Sequence, residues 1–257
     1  MHQAVLSPVG VVVTDLPVGD VSAGPAAELR RLLAGHGVLV MPGQEVGDAA
    51  FVTFLKQFGD LTFTPGETPV AGFPDLNVIS NIGRSTPPRS VFHVDTSYVR
   101  QPPAYTALRA VTIPARGGQT LFTNQYRAFD TLSPEVRTRL AGRTIRHVVT
   151  GLDLGGDDET EAEHPVFRRH PISGRTTLYL STPERCVSVS GMSDAEARDM
   201  IEFLYAHSTS EHNTYRHAWS AGDIVMWDNG CVLHRADHAG VDGDRVMHRG
   251  MVTSYDG

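Results

Sequence analysis

The chain has 257 residues, 40% hydrophobic and 20% charged, the balance expected of a globular protein with a sizeable core. A formal net charge of -7 speaks against a nucleic-acid-binding surface, and no apolar run approaches the ~20 residues of a membrane span. The two cysteines, Cys186 and Cys231, make no disulfide framework, and the N-terminus lacks a signal-peptide pattern, so a cytoplasmic protein is expected.

Val11–Asp15 is a short β-branched run and reads as a strand. Ala26–Leu33 has helical spacing, with Gly35 and Gly37 as its stop, and Val38–Met41 reads as a buried strand closed by Pro42-Gly43. Ala49–Phe58 repeats the helical pattern through Phe51, Phe54, Leu55 and Phe58, which makes the opening β-α-β-α. Residues 61–75, with three prolines and two glycines, read as a long irregular connection. Strands are expected at Leu76–Ser80, Val91–Asp95, Tyr105–Thr112, Gln119–Phe122 and Thr144–Val149. Ser133-Pro134 starts a helix that runs to about Leu140.

The acidic stretch 153–165 shows no apolar periodicity and is expected to be a loop, either simply solvated or a mobile lid over a cleft. His164–Leu180 reads as a hairpin turning at Ser173-Gly174, and Ser193-Asp-Ala-Glu196 as a capping box for a helix reaching His207. From Thr214 to Thr253 the chain is strand-rich. No repeat or linker divides it. The expectation is one domain over 1–257, mixed α/β but mainly β, with a double-stranded β-helix (jelly-roll, cupin-like) core and flanking helices.

The chemistry centres on His93-Val94-Asp95. On a strand, residues i and i+2 face the same way with Cα atoms ~7 Å apart, so an imidazole and a carboxylate can converge on one divalent metal. His234 offers a third ligand, and two histidines with one carboxylate leave an open face suited to non-haem Fe(II). In a chain with twelve histidines, the tripeptide alone reads equally well as a strand-end Asp beside a hydrogen-bonded His. Arg245, Met247 and Arg249 alternate, and two guanidinium forks on one strand face suit a carboxylate, sulfonate or phosphate. His36, His147, His207, His212, His217 and His238 are expected to be structural or at the surface. His248 should turn to the opposite face, and Cys231 reads as a core thiol.

These residues, with Phe58-Gly-Asp-Leu61, His93-Val-Asp-Thr-Ser-Tyr98, Pro102-Pro103, Pro114-x-x-Gly117-Gly-Gln-Thr120, Gly191-Met-Ser-Asp194, Trp227-Asp-Asn229 and His248-Arg249, form a recognisable set. Through them the sequence resembles the taurine dioxygenase (TauD/TfdA) family of Fe(II)/2-oxoglutarate-dependent dioxygenases over nearly its whole length. Thr120 stands 27 residues after His93, and Arg245 and Arg249 stand 11 and 15 after His234, at the family's offsets. The resemblance implies that His93, Asp95 and His234 bind iron. It also implies that Thr120 and Arg245 hold the distal carboxylate of 2-oxoglutarate, and that O2 takes the remaining metal position. Succinate and CO2 leave, and a small, anionic molecule is hydroxylated.

Asp95 itself favours hydroxylation, because halogenating relatives carry a small residue there. Desaturation, ring closure and carbon–heteroatom cleavage use the same site. A barrel that only binds metal or ligand is the non-enzymatic alternative. Arg249, Arg89, Tyr98 and Arg185 are the substrate-binding candidates. Thr64 before Pro65, where taurine-acting members have His, Arg89 in place of an Asn and Arg185 in place of an aromatic residue argue against taurine itself. Family members are often dimers or tetramers.

Overall fold

Period-2 alternation along a few strands sets how the layers stack. In chain order β1 (His2–Val5), β2 (Val11–Thr14), helix α1 (Ala23–His36), β3 (Val38–Met41) and α2 (Asp48–Lys56) open the chain. Then come β4 (Leu61–Thr62), β5 (Pro69–Val70), β6 (Phe73–Ser80), β7 (Tyr105–Thr112), β8 (Thr120–Asn124), α3 (Gln125–Asp130) and α4 (Pro134–Leu140). The middle holds β9 (Thr144–Val148), β10 (Glu161–Pro165), β11 (Phe167–Arg169), β12 (Thr176–Leu178), β13 (Cys186–Val189) and α5 (Asp194–Ser208). The end is β14 (Thr214–His217), β15 (Ile224–Asp228), β16 (Val232–Ala236) and β17 (Val246–Val252). This computed structural model describes residues 1–64, 66–83, 90–151, 154–156 and 158–255.

The major sheet runs β1-β2-β3-β15-β7-β17-β6-β5, with β4 also on β17, and a minor sheet β14-β8-β16 faces it. β3 and β15 are buried on both faces, which their unbroken apolar runs reflect. Leu39, Met41, Ile224 and Met226 point outward to Leu29, Leu33, Phe51 and Phe54 of α1 and α2. Val38, Val40, Val225 and Trp227 point inward to Phe122 and Val232 of the minor sheet. The far face of the minor sheet gives Leu121 and Leu233 to a third cluster with α4, α5, β9 and β13. Two sheets enclosing an inner layer, with helices outside, make the expected jelly-roll core. No helix of the described residues is long and apolar enough to cross a membrane.

Both capped helices form as read: Ser133 Oγ accepts from Val136 N, and Ser193 with Glu196 makes the reciprocal capping box. Gly35, read as a stop, lies inside α1. Gly37, at φ 77°, ends it, since only that position needs the left-handed conformation. The expected strand Val91–Asp95 reduces to one isolated bridge at His93, because Thr96 at φ 41° turns the chain away. The acidic stretch is also corrected in part. Glu161–Pro165 is a strand paired with β9, with Ala162 and His164 buried on alternate positions.

His147 of β9 is fully buried against the rings of His164 and Tyr179. Burial first, then the charges of His164, Arg185 and Arg168, pushes its pKa from 6.5 down to about 3. Burial also lowers the pKa of His164. Below pH 6.5 the unfolded chain takes up protons that the folded one refuses. Stability is therefore full above that pH and falls as pH drops towards 3, by ~1.4 kcal/mol per pH unit for His147 alone. His147→Gln should flatten the difference between urea midpoints measured at pH 7.5 and pH 5. An unchanged difference would assign the acid sensitivity elsewhere.

Candidate active site

His93 and His234 are cross-strand partners. Each backbone N–H donates to the other's carbonyl at 3.0 Å, which makes a narrow antiparallel pair with side chains on one face. Phe92 and Val94 are buried in the helix-side cluster, so His93 and Asp95 between and beyond them turn inward. The two imidazole rings lie 4.3 Å apart, and Asp95 Oδ1 is 3.6 Å from His93 Nε2 and 3.7 Å from His234 Nε2. One ligating atom from each residue falls within 4.8 Å of the others. The His93 imidazole and the Asp95 carboxylate thus lie side by side although the segment is not a regular strand.

The protonation states suit a cation. His93 Nδ1 lies 2.9 Å from the Val91 carbonyl, which assigns its proton there and leaves the Nε2 lone pair facing Asp95. Burial pushes the His234 pKa down to about 3, so its imidazole is neutral; Asp95 opposes that shift. Burial works against ionisation of Asp95, but the Arg249 guanidinium 3.7 Å away favours it, and the carboxyl is held well below its usual range. Among the described residues the buried His234 Nδ1 has no partner. Two imidazoles and one ionised carboxylate, with an open side, fit a divalent metal of the iron type.

Sequence reading missed the residues behind Asp95. Thr106 Oγ1 donates to Asp95 Oδ2 at 2.7 Å, and Asn229 Nδ2 donates to Thr106 Oγ1 at 2.9 Å. The Trp227-Asp-Asn229 motif thus reaches the carboxylate through a hydroxyl. Only the motif itself signalled this in the sequence.

Arg245 is 2% exposed, donates from Nε to Gly118 O at 2.9 Å and lies 3.3 Å from Thr120 Oγ1. Trp219, also unforeseen, donates its indole N–H to the same hydroxyl at 3.0 Å. The double glycine of the Pro114 motif now has a cause. A Cβ on Gly118 (φ 72°) would sit 3.0 Å from Arg245 Cδ, and one on Gly117 would meet the Gly240–Val241 backbone at 3.0 Å. Burial lowers the Arg245 pKa to about 10, and its partners among the described residues are uncharged.

His93, His234, Thr120, Arg245 and Arg249 line one cavity of about 150 Å³, with Trp227 and Leu108 as apolar walls. His238, expected to be structural or at the surface, lines it too. Arg249 contacts Glu67 closely, lies 3.5 Å from Thr64 Oγ1 and sits 3.7 Å from Asp95 Oδ1. As expected, His248 faces the other way, 2.7 Å from Asp48.

A second cavity of about 300 Å³ is lined by Thr64, Thr96, Tyr98, Leu154, Asp158 and Glu159, among others. The acidic stretch therefore stands at a cavity wall. Arg185 sends Nη1 to the Val94 carbonyl at 3.1 Å and packs 5.3 Å from the Tyr98 ring. It is absent from the described lining of both cavities. Arg89 lies outside the described residues.

The chain is similar to known proteins over nearly its whole length. The family described as taurine catabolism dioxygenase TauD, TfdA family matches residues 4–251. The chain is 29% identical over 249 residues to the alpha-ketoglutarate-dependent 2,4-dichlorophenoxyacetate dioxygenase of Cupriavidus pinatubonensis, covering 86% of each chain. A taurine dioxygenase structure from Burkholderia xenovorans superposes with TM-score 0.87 at 29% identity, over 98% of this chain and 89% of that one. AAD-2 in complex with Mn(II) and N-oxalylglycine gives TM-score 0.85 at 25% identity, over 98% and 97%. Matched from near its start to near its end, the chain belongs to the TauD/TfdA family of alpha-ketoglutarate-dependent dioxygenases.

Proposed function

We propose that the smaller cavity holds Fe(II) on His93, Asp95 and His234 and 2-oxoglutarate on Thr120 and Arg245, and that the protein hydroxylates a small organic acid. The reading rests on one observation. A cation-seeking cluster of two imidazoles and a carboxylate shares a cavity with a buried, carboxylate-seeking guanidinium. When bound, iron with 2-oxoglutarate supplies oxygen activation: O2 and the keto acid give succinate and CO2, and one oxygen atom enters a C–H bond of the substrate.

The protein's own groups do the rest. The Val91 carbonyl fixes the His93 tautomer, and Thr106, backed by Asn229, orients Asp95. Arg245 supplies a charge that costs nothing further to desolvate, because folding has already buried it. Trp227 and Leu108 exclude water from that cavity. Arg249 is the contact for the acid group of the substrate, and Tyr98 a wall of the larger cavity, where substrate would sit. Arg185 serves the backbone between the metal ligands rather than the substrate, and Arg89 is kept as a substrate-binding candidate on the sequence alone. Leu154, Asp158 and Glu159, the described part of the acidic stretch at the cavity wall, would act as the lid, with β10 as its fixed base. We take the protein as cytoplasmic, acting on a small molecule rather than nucleic acid or membrane, and able to form a dimer or tetramer; its acidic balance supports the first exclusion.

Anaerobic Fe(II) plus 2-oxoglutarate should give a weak visible charge-transfer band. Air should then release succinate faster with acids of the right shape than with neutral analogues. A silent spectrum would favour a barrel that only binds ligand.

A further inference from the structure

Arg249 enters the cavity already paired. Its Nη2 donates to Glu67, with Thr64 Oγ1 at 3.5 Å, and Nη1 lies 3.7 Å from Asp95. Once Asp95 is committed to a metal, Glu67 alone among the described residues neutralises the guanidinium. No basic side chain lines the larger cavity among the described residues, whereas Asp158 and Glu159 do. An incoming acid therefore meets no open positive charge unless Glu67 moves.

Glu67 is placed to move. It sits in the connection between β4 and β5, and its side chain is 28% exposed against 11% for Arg249. Exchanging one carboxylate for another at a guanidinium fork preserves charge and hydrogen bonding, so the substitution is cheap in both directions.

The neighbourhood also holds unused hydrogen-bonding capacity. Asn77 of β6 is the register partner of Arg249 on β17, which puts the two side chains on one face. Ile79, two residues on and therefore on that face, lines the cavity. Asn77 is fully buried, and among the described residues neither its Oδ1 nor its Nδ2 has a partner; Arg249 Nε is in the same condition. Buried amides are nearly always satisfied, and two unsatisfied groups beside a paired guanidinium mark a place built for a further polar group.

We infer that Glu67 is a displaceable internal counter-ion which competes with the acid group of the substrate for Arg249, and that the Asn77 amide is the second contact of the group that displaces it. This rests on the reading of the site as one for an organic acid. Selectivity follows. A tethered carboxylate competes at high effective concentration, so a weak monodentate acid loses to it. An acid that also satisfies Asn77 and Arg249 Nε wins, and a neutral molecule leaves the pair intact.

The test is calorimetric titration of the Mn(II)- and 2-oxoglutarate-loaded protein with phenoxyacetate, methanesulfonate and methyl sulfate, with phenoxyethanol as the neutral control. Glu67→Gln should tighten at least one anion roughly tenfold and leave phenoxyethanol unchanged. Asn77→Leu should weaken that anion roughly tenfold, leave 2-oxoglutarate affinity alone and raise the urea midpoint, because an unsatisfied buried amide is removed. Anion affinities that are unchanged, weaker or undetectable in Glu67→Gln would overturn the inference, since an opened guanidinium must take an anion. A destabilised Asn77→Leu with normal anion binding would make Asn77 structural and overturn its part. Failure of the wild type to bind 2-oxoglutarate would instead sink the dioxygenase reading of the site.

Discussion

Asp95→Ala protein is expected to fold and to make no oxygen-dependent succinate. The fold survives because each partner of the lost carboxylate keeps another. Arg249 retains Glu67, Thr106 retains Asn229 Nδ2, and His234 is kept neutral by burial rather than by Asp95. The stability change should stay within about 1–3 kcal/mol, the range for one buried hydrogen-bonded group. Metal binding is another matter, because two imidazoles without the anion lose both a ligand and the charge that offsets the cation. Loss of a mere supporting hydrogen bond to a ligand costs ~10–100-fold in affinity, so loss of the ligand itself should exceed that. Urea midpoint, Fe(II) titration and succinate release, measured on one preparation, separate the two effects. Normal turnover in Asp95→Ala would end the assignment of this carboxylate as a ligand.

Thr106→Val offers the contrast. It keeps the ligand but removes the 2.7 Å donor to Asp95 Oδ2. Fold and site were legible in the sequence where local chemistry determines local structure. The capped helices at Ser133 and Ser193, the doubly buried run Val38–Met41 and the largely buried strand Tyr105–Thr112 carry their own signals. β1 does not: all four residues are exposed, so nothing alternates, and only pairing with β2 makes it a strand. β10 was hidden by its glutamates, since a small Ala162 and a buried His164 give little apolar pattern between charges.

The same division runs through the site. His93, Asp95, His234, Thr120, Arg245 and Arg249 stand in a spaced pattern, and five of them line one cavity with Asp95 between its histidines. Thr106, Trp219 and Asn229 act across 11, 99 and 123 residues of sequence, through hydrogen bonds that exist only once distant segments have come together in the fold. Glu67 escaped for a similar reason. A glutamate in a proline-rich connection looks solvated until β4 pairs with β17 and brings its loop to Arg249.

Arg245→Ala should weaken 2-oxoglutarate more than any other single change to the wall of the smaller cavity, leaving the metal cluster intact. Arg245 is buried and its pKa lowered to about 10, so the protein already bears the cost of taking this charge out of water. Its present partners, Gly118 O and Thr120 Oγ1, are neutral and cannot cancel that charge. A dicarboxylate can, which makes the guanidinium a preorganised receptor for one end of the cosubstrate. Removing one member of such a desolvated charge pair costs about 2–5 kcal/mol, at least roughly thirtyfold in Kd. Thr120→Val, which removes a single hydroxyl, should cost only about 1 kcal/mol. Arg245→Lys should recover part of the loss, since an ammonium restores charge without the fork. Arg249→Ala should change 2-oxoglutarate affinity little, because its partners Glu67 and Thr64 belong to the other side of the site. Calorimetry on the Mn(II) form reads all four affinities without turnover. If Arg245→Ala binds 2-oxoglutarate normally while Arg249→Ala does not, the two arginines exchange roles, and the prime substrate must be sought beside Arg245.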